Sequence, residues 1–236
     1  MGWRGLTEWG RDLLRIIFPE VCEVCGRSLV KGERVMCLHC DVSLPRTRVH
    51  TDEFNVIHQR LAGSTPIDRA AGMFYYYRES EYARLIHVAK YQSRPVVARR
   101  LAEAYARELM PDRFFDGIDV ILPVPLHSSK LISRGYNQSE EIAMGLSAVT
   151  GIAVGDNLVA RRSHSTQTKK NSYSRWVNAQ GVYDVDCGDE LEGKHVLVVD
   201  DVITTGATLL ACCEAIHRVA PTARISVLSL AVTHLR

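Results

Sequence analysis

The sequence predicts an α/β protein: a parallel sheet flanked by helices, preceded by a small four-cysteine module. Three observations carry that expectation. From about residue 70 onward, short continuous apolar runs alternate with helix-length segments, the pattern of strands buried on both faces. One such run, 196–199, ends in Asp200 and Asp201 and turns through Thr204, Thr205, Gly206, Ala207 and Thr208 into a helix. Four of the seven cysteines fall between positions 22 and 40, as two C-x-x-C pairs.

The elements follow in order. Leu6, Trp9, Leu13, Ile16 and Ile17 share one helical stripe, so a helix is expected over about 6–18, stopped by Pro19. Arg15 interrupts its apolar run and no small-residue cleavage site follows, which argues against a signal peptide. The cysteine module takes 20–45, and 46–69 reads as a linker with a short helix. Then come a strand at 71–77, a helix at 81–91, and a helix at 95–109 with Pro95 in its first turn. A short apolar strand at 119–123 precedes a helix at 138–149, which Gly151 ends. Strands are expected at 158–160, 196–199 and 225–232, with a helix at 207–219 before the last. The organisation is thus an N-terminal helix (1–19), a metal module (20–45), a linker (46–69) and an α/β domain (70–236).

Composition excludes several function classes. The balance of 46% hydrophobic and 24% charged residues is globular, and a net charge of +2 gives no global field toward nucleic acid. No apolar run approaches the ~20 residues that span a bilayer. With no secretory signal the expected compartment is cytoplasmic, where paired disulfides are disfavoured. Cys22, Cys25, Cys37 and Cys40 therefore read as a closed tetrahedral Zn2+ site of structural type, with an iron–sulfur cluster as the other metal reading. Gly26 and Gly32 supply the freedom such tight turns need. The metal stands in for the hydrophobic core that so short a segment lacks.

Two adjacent carboxylates at a strand end are costly unless something answers them. A Walker B strand would need a P-loop, which the chain lacks. An acidic phosphoacceptor pocket would need about 100 further residues, and 35 follow Asp201. A sugar-phosphate site fits. Small residues let backbone N–H groups approach a phosphate, the helix N-terminus adds a positive dipole end, and the threonine hydroxyls add donors. Asp200 and Asp201 can accept from vicinal ribose hydroxyls and face a magnesium diphosphate. A solvated Asp-Asp turn is the plain alternative.

This stretch is similar to the phosphoribosyl diphosphate (PRPP) signature of type I phosphoribosyltransferases, and with the cysteine pairs the chain resembles the ComF/GntX family over roughly 20–235. The run from Pro123 through His127 to Arg134, Gly135, Tyr136, Asn137, Gln138 and Ser139, the pair Lys90-Tyr91, and Arg162, Thr166, Gln167, Arg175 and Asn178 all look like that family's motifs. The resemblance implies the type I phosphoribosyltransferase fold and PRPP bound with Mg2+ at Asp200, Asp201, 204–208, Lys90, Arg134 and Gly135. It implies a transferase releasing diphosphate, with Asp200, Asp201 and Arg134 in the catalytic roles. Arg134 would pair with phosphate oxygens in the diphosphate loop; a solvated arginine beside an ordinary helix cap is the other reading. The basic run 161–170 would be a hood over the diphosphate, or simply a solvated loop. The resemblance also implies a link to DNA uptake and competence. The alternative to a transferase is a non-catalytic PRPP-fold module that handles single-stranded DNA or competence partners. Arg161, Arg162, Lys169, Lys170 and Arg175, with Tyr173 and Trp176 nearby, are candidate contacts to nucleic acid. His87 and His195 have no visible partner and read as packing or solvent residues.

Overall fold

A computed structural model describes residues 20–61, 65–91, 94–161 and 182–233. The helix expected at 6–18, and Arg162, Thr166, Gln167, Lys169, Lys170, Tyr173, Arg175, Trp176 and Asn178, lie outside the described residues. The chain divides into two compact units, Met1–Leu44 and Pro45–Arg236.

The described part of the first unit is built from turns. Gly26 at φ +75° and Gly32 at φ +101° let the chain double back. Cys22 N–H donates to Arg27 O at 2.7 Å and Gly26 N–H to Cys22 O at 2.9 Å. The Glu33 carboxylate accepts from the N–H of Val30 (2.9 Å) and of Leu38 (2.7 Å), which ties down the loop between the cysteine pairs. Helix α1 (Leu38–Val42) starts directly after Cys37.

The second unit holds a five-stranded sheet, all parallel, in the order β1-β7-β6-β2-β3. The strands are β1 (Ala70–Tyr76), β2 (Val120–Pro123), β3 (Ala153–Val154), β6 (His195–Ile203) and β7 (Arg224–Thr233). Residues 225–232 of β7 and 195–199 of β6 are all buried, as strands covered on both faces must be. Helices α3 (Ala83–Tyr91), α4 (Pro95–Leu109), α6 (Gln138–Thr150) and α7 (Ala207–Val219) supply much of that cover. Where α4 meets α6 the backbones nearly touch: a Cβ on Gly145 would lie 2.3 Å from Arg99 O. Gly151, at φ +75°, ends α6 as expected.

Several elements differ from expectation. The strand at 158–160 exists as β4 (Leu158–Ala160) but pairs antiparallel with β5 (Tyr183–Val185), outside the main sheet. The two-residue strand β3 and the seven-residue helix α5 (Ser128–Arg134) are too short to show a period. Residues 46–69 carry a 3-10 turn, Val49–Thr51, and helix α2 (Val56–Arg60), and they pack within the second unit. Buried Asn55 anchors α2. Its Oδ1 accepts from Ile57 N–H at 2.9 Å, and its Nδ2 donates to Val49 O and Ala70 O, each at 2.9 Å. Just upstream, Thr47 N–H donates to Met73 O (3.1 Å) and Tyr75 N–H to Pro45 O (2.8 Å), so this segment covers the outer edge of β1. Among the described residues no helix is long and apolar enough to cross a membrane.

Candidate functional site

The two carboxylates sit in the carboxyl-terminal half of the central strand β6, the end of a parallel sheet where ligands bind. Asp200 Oδ1 accepts from Ser139 Oγ at 3.2 Å and from the Asp201 N–H at 2.8 Å. Asp201 Oδ2 pairs with Lys90 Nζ at 3.0 Å, with the two side chains 11% and 22% exposed. Lys90, from the last turn of α3, is therefore the counter-charge for a nearly buried carboxylate. Among the described residues Asp200 forms no ion pair of its own, and the charge of Lys90 offsets its burial only in part. Loss of hydration, and then the charge of Asp201, push its carboxyl up from 3.8 to about 7.

Beyond Ile203 the strand gives way to Thr204, Thr205 and Gly206, and α7 starts at Ala207. Gly206 caps α7 at φ +82°, a conformation that favours glycine. A side chain there would also crowd its neighbour: a Cβ would meet Leu61 Cδ2 at 2.8 Å. Leu61, fully buried at the end of α2, thus packs on the turn.

On the neighbouring strand, the chain leaves β2 and passes through α5 before α6. Arg134 is the last residue of α5, not the first turn of a helix, and Gly135 at φ +81° reverses the chain after it. Arg134 Nη1 donates to Gln138 Oε1 at 2.7 Å. Asn137 caps α6, accepting from Ser139 N–H at 3.1 Å and donating to Val124 O at 3.0 Å. That cap sets the hydroxyl of Ser139 beside Asp200.

Lys90, Arg134, Asp200, Asp201, Thr204 and Thr208 line one cavity of about 730 Å3. Gly135, Thr205, Gly206 and Ala207 do not line it; they form the two turns that shape it. Sequence reasoning missed three kinds of wall. Arg78 and Lys130 add positive charge, and His87, read as packing or solvent, lines the cavity as well. Tyr183 faces Asp200 and the Thr208 hydroxyl, and burial above all keeps its phenol protonated well past the usual range. Tyr76, at the end of β1, closes another side. None of these belongs to a local motif, and the fold alone brings them in. His195, by contrast, is a packing residue: it is buried, with Nε2 2.8 Å from Ser226 Oγ.

In the first unit, the sulfurs of Cys22, Cys25, Cys37 and Cys40 all lie within 4.8 Å of one another. Cys25 and Cys37 Sγ are 3.8 Å apart. A tetrahedral zinc site with ~2.3 Å Zn–S bonds has sulfur–sulfur edges of about 3.8 Å, so the donor set fits the metal. Burial acts to raise the Cys22 thiol, but the N–H groups of Cys25, Cys37 and Val24 outweigh it and hold it down to about 7. Burial, then the neighbouring thiols, raise Cys40.

The phosphoribosyl transferase domain matches residues 97–235 of this chain. DNA utilization protein YhgH of Salmonella typhi is 27% identical over 222 residues, covering 90% of this chain and 86% of that protein. Competence protein ComFC of Bacillus subtilis is 24% identical over 199 residues, covering 84% of this chain and 72% of its own length. Among solved structures, glutamine phosphoribosylpyrophosphate amidotransferase from B. subtilis, complexed with ADP and GMP, aligns at TM-score 0.38 and 21% identity, over 55% of this chain and 25% of that one.

Proposed function

The chain belongs to the phosphoribosyl transferase domain family and is a distant homologue of the YhgH and ComF competence proteins, and on that premise we propose that it binds PRPP with Mg2+ and transfers the phosphoribosyl group to an acceptor. The observation that carries this reading is a single cavity at the carboxyl end of β6. It joins two carboxylates to a small-residue turn that opens a helix. In this reading the N–H groups and hydroxyls of 204–208 hold the 5-phosphate of the ribose. Asp200 and Asp201 accept from the ribose hydroxyls. Lys90 and Arg134 face the diphosphate, Arg134 in a bidentate manner. Gly135 lets the backbone approach it.

The bond between ribose C1 and the diphosphate oxygen breaks, and the electron pair leaves with diphosphate. A bond from C1 to the acceptor forms, and the acceptor sheds its proton to water. Mg2+ carried with the substrate supplies charge neutralisation on the leaving group. Arg134 adds to it, and the carboxylates face the oxocarbenium-like sugar. No covalent enzyme intermediate is needed. The four cysteines would hold a structural Zn2+, with no open position for chemistry.

The names of the relatives favour a role in DNA utilization or competence. They also support a second reading, in which the site binds PRPP without turnover and the protein handles single-stranded DNA or competence partners. Calorimetric titration with PRPP and Mg2+, followed by assay of diphosphate release with nucleobases and single-stranded DNA, separates the two. Binding with release supports transfer. Binding of both PRPP and DNA without release supports the second reading. No PRPP binding refutes both.

A further inference from the structure

Against the 204–206 turn, and not among the residues that line the cavity, lies the side chain of Arg60, the last residue of α2. Its Nη1 donates to Thr204 O at 3.1 Å and to Ile203 O at 3.4 Å. Its Nη2 donates to Thr233 O, at the end of β7. The Thr233 hydroxyl reaches the same two carbonyls, Ile203 O and Thr204 O, each at 3.4 Å. Arg60 is half-buried, its Nε has no hydrogen-bond partner, and burial lowers its pKa. Among the described residues no carboxylate forms an ion pair with it. A guanidinium so placed is costly unless an anion answers it.

Resting on the phosphate-loop reading above, we propose that Arg60 is a positioning residue for the 5-phosphate of PRPP, acting through the peptide units of the turn. A trans peptide unit points its C=O and its N–H in opposite directions. Holding the carbonyls of Ile203 and Thr204 against Arg60 and Thr233 therefore turns the N–H groups of Thr204 and Thr205 the other way. Thr204 lines the cavity, so that other side is where a phosphate would sit. The peptide dipoles, pinned at their oxygen ends by a cation, present their positive ends to the ligand without reorganisation on binding. The phosphate in turn supplies the missing counter-charge, one peptide unit away. Asn55 makes the arrangement rigid by fixing α2 to β1.

The test compares Arg60→Met and Arg60→Lys with the parent as full-length chains. The probes are ribose 5-phosphate, and separately inorganic diphosphate with Mg2+, which engages the Arg134 side and not the turn. Arg60→Met should bind ribose 5-phosphate roughly ten- to a hundredfold more weakly, the worth of a charge-assisted contact. Its affinity for magnesium diphosphate should be unchanged. Arg60→Lys, which keeps the charge but not the fork, should fall between. Two results overturn the proposal alone: parent-like ribose 5-phosphate affinity in a folded Arg60→Met, or equal loss of both ligands, which marks a general structural effect. If Arg60→Met does not fold, Arg60→Lys decides by the same split. A parent that binds magnesium diphosphate but no ribose 5-phosphate sinks the phosphate-loop reading itself, and this inference with it.

Discussion

Asp200→Asn removes one carboxylate charge from the end of β6 while keeping the shape and an acceptor for Ser139 and the Asp201 N–H. In the unfolded chain this carboxyl titrates near 3.8, and in the folded protein it is pushed up to about 7. Between those limits the folded state holds the extra proton, so stability falls as pH rises through the window and is level above it. Each pH unit inside the window is worth about 1.4 kcal/mol, so moving from pH 5 to 7 removes roughly 2–3 kcal/mol through this one group. For a unit of this size that corresponds to about 5–10 °C in melting temperature. His58 and His195 act the other way: burial lowers both, so they add stability as pH rises toward their ordinary range. The useful quantity is thus the difference between variant and parent, in which the histidines cancel. Melting curves without ligand at pH 5.5 and 7.5 should show Asp200→Asn gaining several degrees on the parent between the two. A difference that does not change with pH would refute the reasoning that Asp200 is strained in the empty site. Titration with PRPP and Mg2+ checks the other half: parent affinity should rise over the same pH range, and the variant should bind weakly throughout.

Lys90→Met should leave Asp201 without its partner and cost about 1–3 kcal/mol, less than for a fully buried pair because both groups keep some exposure; chemical denaturation measures this, and calorimetry should show weaker PRPP binding. Cys37→Ser should lower zinc from about one equivalent per chain to near none, while the far-UV spectrum and melting of the α/β unit change little. Elemental analysis of reduced protein decides it, and finding neither zinc nor iron in the parent would sink the metal reading. Gly145→Ala should destabilise by about 1–3 kcal/mol, because the new methyl collides with Arg99 O and comes within 2.9 Å of Ala102 Cβ; an unchanged melting temperature would mean that α4 and α6 are not packed as described.

What could be read from sequence divides along physical lines. Strands β1, β6 and β7 and helices α4, α6 and α7 carry long apolar runs or clear caps, and their periods are visible without a structure. Helix α2, strand β3 and helix α5 are five, two and seven residues long, and they exist because neighbours hold them. The site divides the same way. The acidic pair and the 204–208 turn are contiguous in sequence. The Lys90–Asp201 pair spans 111 positions, and Arg60 meets Thr204 across 144, so only the folded chain reveals them. Reading 46–69 as a linker with a short helix hid Arg60 in particular, because nothing in so mixed a stretch says that the last turn of that helix will back a loop elsewhere.

The sheet order has a practical consequence for anyone who cuts this chain. The family match begins at residue 97, yet β7 has a partner on each side, and one of them, β1, lies before that point. A fragment starting at 97 would strip β1 away and leave a ten-residue, almost wholly buried strand with a bare hydrogen-bonding edge. Such an edge is a template for self-association. In the whole chain β1 is itself shielded by the backbone of Pro45 and Thr47. A soluble fragment of the α/β unit therefore has to begin upstream of residue 45, and shorter versions should be recovered as aggregates regardless of how intact the residues around the cavity are.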